Sequence, residues 1–389
     1  MGRDFQWAIF LPCLINLGVN DCPCFGIIGV FQRWDYSRTQ PMDIREIAKR
    51  ARVSTATVSR TINRIPTVNP QLAKRVWNVV EELGYYPNTQ ARALVSGRSR
   101  IFGLIISEIT NPFFPEIVQV FERIAVQHHY EIMLTSTGND PKYMETAVRR
   151  MIERRVEGVA IMTFGMEEVL LEDLKLRKVP LVFVDVGPAR PRVSNIRIDY
   201  LHGIRQAVQH LAALRHQRIA FISGPRHLKS AEARKQAFLS SMSEIGLEVD
   251  RALIVEGTHT IEGGIAAFGK LLTESNRPTA VICSNDMTAM GVMRKAYEEG
   301  IQIPSDLSVI GFDDIRLAQF VLPALTTVQM SQAELARLAF NALLTELQRD
   351  APSPTGTEYA LKTHLVLRES TRLVSGNTKA SAGKRQMRW

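Results

Sequence analysis

The chain has 389 residues, enough for two or three domains, and its 45% hydrophobic and 22% charged residues exclude global disorder and leave a packed globular core as the expectation. Its net charge of +9 is unevenly spread: residues 43–100 carry +7, residues 371–389 carry +5, and 101–370 sum to −3. A basic module and tail on a mildly acidic body suit a polyanionic partner, because Lys and Arg release phosphate counterions on binding; a merely solvated basic surface is the competing reading at this point. Cys13, Cys22, Cys24 and Cys283 give neither a disulfide framework nor paired CxxC zinc spacing, and they fit a reducing cytoplasm.

Residues 1–41 differ from the rest of the chain. The apolar stretch from Trp7 to Phe31 is broken by Asn16, Asn20, Asp21 and two prolines, has no clearly positive leader and no small-residue cleavage site behind it. It fits neither a membrane span nor a signal peptide well, a single weak membrane anchor being the competing reading. Amphipathic patterning begins at Met42, so Met42 is the expected translation start and 1–41 an extension with no fold of its own.

From Met42 three short helices are legible. Ile44, Ile47 and Ala48 share a face of the first. Ser54 suits the N-cap of the second, where its hydroxyl can satisfy an orphan backbone N–H. Val58 and Ile62 of that helix pack inward, leaving Thr55, Ala56, Ser59, Arg60 and Asn63 outward. The third starts with Asn69 as cap and Pro70 at its first position, buries Leu72, Val76, Val79, Val80 and Leu83, and stops at Gly84. This economy suits a helix-turn-helix over Asp43–Asn63. Small residues let the second helix enter the major groove, Arg60 can reach guanine O6 and N7, and Thr57, Ser59 and the helix N-terminus suit phosphates. Periodicity by itself would equally fit a generic three-helix bundle; the local charge and the exposed face favour DNA.

The strings VSTATVSRTIN, VNPQLAKRVWNVVEELGYYPN and the adjoining ARAL closely resemble the LacI/GalR family of bacterial transcription regulators, densely over 43–95 and at lower density to about residue 370. The resemblance implies that Thr55, Ala56 and Arg60 meet bases, with most discrimination falling to Arg60. Ser54, Thr57, Ser59 and Asn63 complete the candidate DNA contacts of the head, residues 42–87. Residues 88–100 form a hinge and linker. Asn88 caps a helix over Thr89–Val95 that is too short to be stable unaided, and Gly97 marks its flexible end. By resemblance it folds on operator DNA, with Asn88 and Ala91 among the DNA contacts and Leu94 wedged into the minor groove.

From Ile101 short apolar runs (IFGLIIS, EIMLTST, GVAIMTF, PLVFVDV, RIAFISG, TAVICSN, LSVIGFD) alternate with helical stretches at 114–128, 142–154, 201–214, 230–245 and 285–299. Such alternation gives parallel sheets covered on both faces. The expected fold class is therefore an all-α helix-turn-helix head plus an α/β two-lobed core similar to the type I periplasmic-binding-protein fold. That core spans 101–370, with a lobe boundary near 199 and a return to the first lobe near 329–357. A basic flexible tail, 371–389, completes the chain. By resemblance the effector sits between the lobes, against Asn111, Asp185, Arg234, Asn285 and Asp313; carboxylates, amides and a guanidinium can together satisfy vicinal hydroxyls. Asn285-Asp286 and Asp313-Asp314 also fit helix caps, and Leu228, His259 and Thr260 depart from well-studied members. No GxSxG, GxxxxGK[ST], GxGxxG or HExxH appears, so nothing points to an enzyme. The expected protein needs no metal or other cofactor. It is a cytoplasmic, ligand-responsive repressor of a carbohydrate-related operon, with no membrane partner, that binds pseudo-palindromic double-stranded DNA as a homodimer or larger assembly. The alternative is a solute-binding protein without a DNA role.

Overall fold

The computed structural model describes residues 43–63, 65–85, 97–138, 140–163, 174, 176–185, 189–349 and 355–374. The expectations for 1–41, for Asn88, Ala91 and Leu94, and for the tail from 375 lie outside the described residues. The chain divides into two compact units, residues 1–88 and 89–389.

In the first unit, helices α1 (Ile44–Ala51), α2 (Thr55–Ile62) and α3 (Pro70–Leu83) each begin at a side-chain cap. Asp43 accepts from the Arg45 amide at 3.3 Å, Ser54 Oγ from the Thr57 amide at 3.1 Å, and Asn69 from the Gln71 amide at 2.8 Å. These bonds satisfy donors that a helix start leaves open. Gly84 ends α3 with φ of 58°, a left-handed cap that costs glycine little. Ile47, Ala48, Ala51, Val58, Ile62, Val76 and Val80 form the core. Leu72, Val79 and Leu83 are only half-buried, a correction to the sequence expectation. So small a module has too little interior to cover a whole helix stripe.

The second unit holds two six-stranded sheets. The first contains β1 (Ile101–Ile106), β2 (Glu131–Ser136), β3 (Gly158–Met162), β4 (Leu181–Val184), β5 (Val193–Asp199) and β11 (Glu358–Lys362), in the order β11-β5-β4-β3-β1-β2. All its pairings are parallel. The second contains β6 (Ile219–Ser223), β7 (Ile254–Glu256), β8 (Ala280–Cys283), β9 (Ser308–Asp313), β10 (Thr326–Gln329) and β12 (His364–Val366), ordered β12-β10-β9-β8-β6-β7. Only its edge strand β12 runs antiparallel. Central strands such as Val159–Ile161 and Val281–Ile282 are buried on both faces, as helix-covered parallel sheets require.

Helices α4 (Phe113–Gln127), α5 (Pro141–Glu153) and α10 (Gln332–Gln348) cover the first sheet. Helices α6 (Tyr200–Ala213), α7 (Lys229–Glu244), α8 (Ile261–Leu272) and α9 (Asp286–Glu298) cover the second. The chain therefore passes between lobes three times: between Asp199 and Tyr200, near Met330, and at Thr363 between β11 and β12. Thr363 Oγ1 ties the first and third passages together, donating to the Asp199 carbonyl at 2.6 Å and accepting the Gly203 amide at 3.1 Å.

Two local features adjust the sequence reading. The stretch after Ser370 stays fixed to the second lobe: the Arg372 amide donates to Ser308 Oγ at 3.0 Å and the Val374 amide to the Leu214 carbonyl at 3.0 Å. The ordered core therefore extends past residue 370. At the other end, Arg98 Nη2 reaches Glu157 at 2.9 Å and Tyr130 Oη at 2.8 Å, while the Arg100 amide donates to Glu157 at 2.8 Å. The end of the linker is thus anchored to the first lobe.

Candidate nucleic-acid interface and effector cavity

In the head, α2 presents Thr55 and Ala56 at its N-terminus and Arg60 in its last turn as exposed side chains. Ser54 is also exposed, with its hydroxyl in the capping bond and 2.9 Å from Thr57 Oγ1. Ser59 and Asn63 are half-buried and meet through Asn63 Nδ2 at 3.4 Å. Ser54, Thr57, Ser59 and Asn63 are therefore shaping the helix, which leaves Arg60 as the long donor on the open face. The positive N-terminal end of α2 can neutralise phosphates, and the exposed guanidinium on its last turn can read a base edge.

Within the second unit a cavity of about 420 Å³ lies between the lobes. Its second-lobe wall is mainly polar, whereas the first lobe contributes Phe113, Phe114, Met162 and Val184 beside Ser107, Glu108 and Asn111. Arg234, on the second turn of α7, enters from the second lobe. Its guanidinium lies 4.1 Å from the Phe312 ring centroid and 5.2 Å from that of Tyr200. Nη1 donates to the Ser284 carbonyl at 2.5 Å, Nη2 stands 3.4 Å from Asp313 Oδ1, and Nε is buried without a partner among the described residues. Asp313 ends β9 with φ of 107°, a strained conformation for a residue other than glycine. Burial pushes its carboxyl up to about 7 even though Arg234 pulls the other way. Its carbonyl accepts from Gln332 Nε2 at 2.9 Å.

The remaining candidate residues divide. Asn285 lines the cavity and also caps α9, accepting the Thr288 amide at 2.9 Å while Nδ2 donates to the His259 carbonyl at 3.0 Å. Asn111 lines the cavity and accepts the Phe113 amide at 3.1 Å, turning the chain into α4. Asp185 stands outside the cavity lining. Its carboxylate accepts the Ile198 amide at 2.8 Å and Tyr200 Oη at 2.7 Å. Asp286 is neither cap nor lining residue. It is wholly buried and accepts the Ile315 amide at 2.8 Å and Thr327 Oγ1 at 2.5 Å, and so fixes the loop behind Asp313.

Sequence reasoning left most of the lining without a role, and two of those residues, Tyr200 and His259, stand beside Arg234. Tyr200 sits at a passage between lobes, where spacing gives no signal of a ligand contact. His259 has a left-handed backbone (φ 62°), and its Nε2 is out of solvent with no partner among the described residues. Burial, with Arg234 and His227 nearby, pushes its pKa down to about 3, so the ring is neutral. Its departure from well-studied members was the only signal in the sequence.

This geometry can be set beside known proteins. The family described as "Bacterial regulatory proteins, lacI family" matches residues 43–88, and "Periplasmic binding protein-like domain" matches 208–371. Catabolite control protein A of Priestia megaterium is 34% identical over 79% of this chain and 93% of its own length. The chain belongs to the lacI family of bacterial regulatory proteins. The HTH-type transcriptional repressor PurR of Glaesserella parasuis serovar 5 is likewise 34% identical, over 85% of this chain and 98% of its own length. Among solved structures, the lac repressor dimer bound to operator and the anti-inducer ONPF superposes with a TM-score of 0.76 at 27% identity, covering 86% of this chain and all of that one. A transcriptional regulator CelR–cellobiose complex gives a TM-score of 0.65 at 27% identity, covering 85% of this chain and 99% of its own. A regulator core with a lacI-type head in one chain decides against a solute-binding protein without a DNA role. Among the described residues no helix is long and apolar enough to cross a membrane, and no group of three His, Cys, Asp or Glu side chains is placed to hold a metal ion.

Proposed function

We propose that this lacI-family regulator is a cytoplasmic repressor of a carbohydrate-related operon, released from or recruited to a pseudo-palindromic operator by a sugar or sugar derivative. The observation that carries the reading is the cavity between the lobes with Arg234 and Asp313 together in its wall. A guanidinium and a carboxylate set against aromatic and aliphatic groups suit a polyhydroxylated ring, with directional bonds at its edge and apolar contact on its face. Arg234, Asp313, Asn285 and Asn111 are assigned as effector contacts. Thr55, Ala56 and Arg60 are assigned to bases, and Ser54, Thr57, Ser59 and Asn63 to the phosphate backbone or to shaping the reading helix. Asn88, Ala91 and Leu94 of the hinge complete the DNA contacts.

Solved relatives support the effector class: one was captured with cellobiose and another, from Enterococcus faecium, with ribose. The lac repressor captured as a dimer on operator supports a homodimeric arrangement. No catalytic step is assigned to the chain. A ligand acts here only by binding one lobe arrangement more tightly than the other. Thermal-shift screening against sugars, sugar phosphates and purines tests the reading, since a cleft ligand stabilises by mass action. A sugar that raises the melting temperature and changes affinity for a promoter fragment supports it. A stabilising purine with no effect from any sugar overturns the effector class, and absence of salt-dependent promoter binding overturns the DNA role.

A further inference from the structure

We propose that Asp185 and Tyr200 form a latch between the two lobes that holds Arg234 in the cavity, so that Asp185 is a positioning residue and not an effector contact. Asp185 adjoins the end of β4 in the first lobe with φ of 53°. One carboxylate oxygen takes the amide of Ile198 in β5 of the same lobe at 2.8 Å. The other takes the phenolic O–H of Tyr200 at 2.7 Å. Tyr200 is the first residue of α6, which packs on α7, β10 and β12 of the second lobe. The Tyr200 hydroxyl bond thus joins the lobes where the chain first passes between them.

The latch reaches the cavity through the tyrosine ring. Arg234 Cζ lies 5.2 Å from its centroid, and the same guanidinium rests on Phe312 at 4.1 Å. The Tyr200 and Phe312 rings are themselves 5.9 Å apart. A tyrosine held by its hydroxyl keeps one aromatic neighbour of the cation in place, and a cation over a ring face is attracted by the ring quadrupole. Both oxygens of Asp185 are engaged by the protein, and the residue does not line the cavity. A half-buried carboxylate is stabilised by such donors, which offset part of its lost hydration.

Tyr200→Phe removes the bond to Asp185 and leaves the ring. Asp185→Ala removes both bonds of the carboxylate, whereas Asp185→Asn can still accept from Ile198 and donate to the tyrosine oxygen. The lobe separation can be read by pulsed electron resonance between spin labels at Lys142→Cys and Lys270→Cys, exposed positions on α5 and α8 of opposite lobes. The full chain is used with Cys13, Cys22 and Cys24 changed to serine, the labelled protomer diluted into unlabelled protein, and no DNA or effector present. The expected result is a longer or broadened distance in Tyr200→Phe and Asp185→Ala, and the parent distance in Asp185→Asn. Parent distances in both Tyr200→Phe and Asp185→Ala overturn the latch. Because no ligand enters the measurement, failure here leaves the effector reading untouched, and failure of the effector reading leaves the latch standing.

Discussion

Arg234 Nη2 and Asp313 Oδ1 stand 3.4 Å apart with their side chains only 7% and 8% exposed. For a charge-assisted bond this is long, since such pairs close to about 2.7–2.9 Å when optimal. The guanidinium is instead held tightly by the Ser284 carbonyl at 2.5 Å and by Phe312. An effector hydroxyl placed alongside the pair could accept from the guanidinium and donate to the carboxylate.

Removing the cation should expose that arrangement. Arg234→Ala leaves the Asp313 carboxyl buried without its partner, and loss of one member of a buried pair costs about 3 kcal/mol. Effector affinity should fall by roughly ten- to a hundredfold, the worth of one charge-assisted bond, while promoter binding without effector is retained. Urea unfolding and anisotropy titrations on a promoter fragment check the two halves. Normal effector response in both Arg234→Ala and Asp313→Ala would mean the cavity is not the effector site.

The Asp313 carboxyl, raised from 3.8 to about 7, also sets a pH dependence. Between those values the folded protein holds a proton that the unfolded chain has released, so stability falls as pH rises through that window. Asp286 is raised as well, by burial and by the nearby Asp313, so the comparison must be between wild type and Asp313→Asn. The melting temperature of wild type relative to this variant should decline from about pH 4.5 to about pH 7 and then level off. A flat difference across that range would show that Asp313 ionises normally in the fold.

What could be seen in the sequence was what local chemistry writes there. Ser54, Asn69 and Gly84 announced helix ends because caps are made by neighbours two or three residues away. The apolar runs announced β1, β3, β4, β6, β8 and β9 because buried parallel strands are continuously hydrophobic, and β2, though an edge strand without a buried residue, by its Ile132–Leu134 run. Strand β5 (VSNIRID) escaped that reading because it mixes in polar residues, and β11 and β12 are short edge strands whose pairing is set by partners far along the chain. In the site, Arg234 and Asp313 could be placed by resemblance to the family. The Asp185–Tyr200 contact could not, because two chain segments must turn toward each other before a carboxylate and a phenol become partners.

In the head, Arg60→Ala should remove about 1–3 kcal/mol of discrimination between operator and scrambled duplex, the worth of a good bidentate base contact. Arg60 is exposed on α2 and the core beneath it is Val58 and Ile62, so the fold should be unaffected. Residual binding should remain weak and steeply salt-dependent, since phosphate contacts survive. Competition titrations at two salt concentrations check this, and undiminished discrimination would remove Arg60 from base reading.

The helix carrying Asn285 at its cap is positioned by an approach of backbones. A Cβ on Gly264 of α8 would run into the Thr288 carbonyl oxygen of α9, and one on Gly291 of α9 would run into the Ile261 carbonyl oxygen of α8. Neither obstruction is a side-chain end that could swing aside, so the helices must separate. Gly291→Ala or Gly264→Ala should therefore cost about 1–3 kcal/mol by overpacking, even though alanine has the better helix propensity by about 1 kcal/mol. The loss should also reach the cavity, because moving α9 carries Asn285 away from the His259 carbonyl it holds at 3.0 Å and loosens Asp286 behind Asp313. Urea unfolding measures the first effect and effector-dependent thermal shift the second. If Gly291→Ala were stabilising, the propensity gain would outweigh the contact, and α8 and α9 would have to lie farther apart than these two glycines place them.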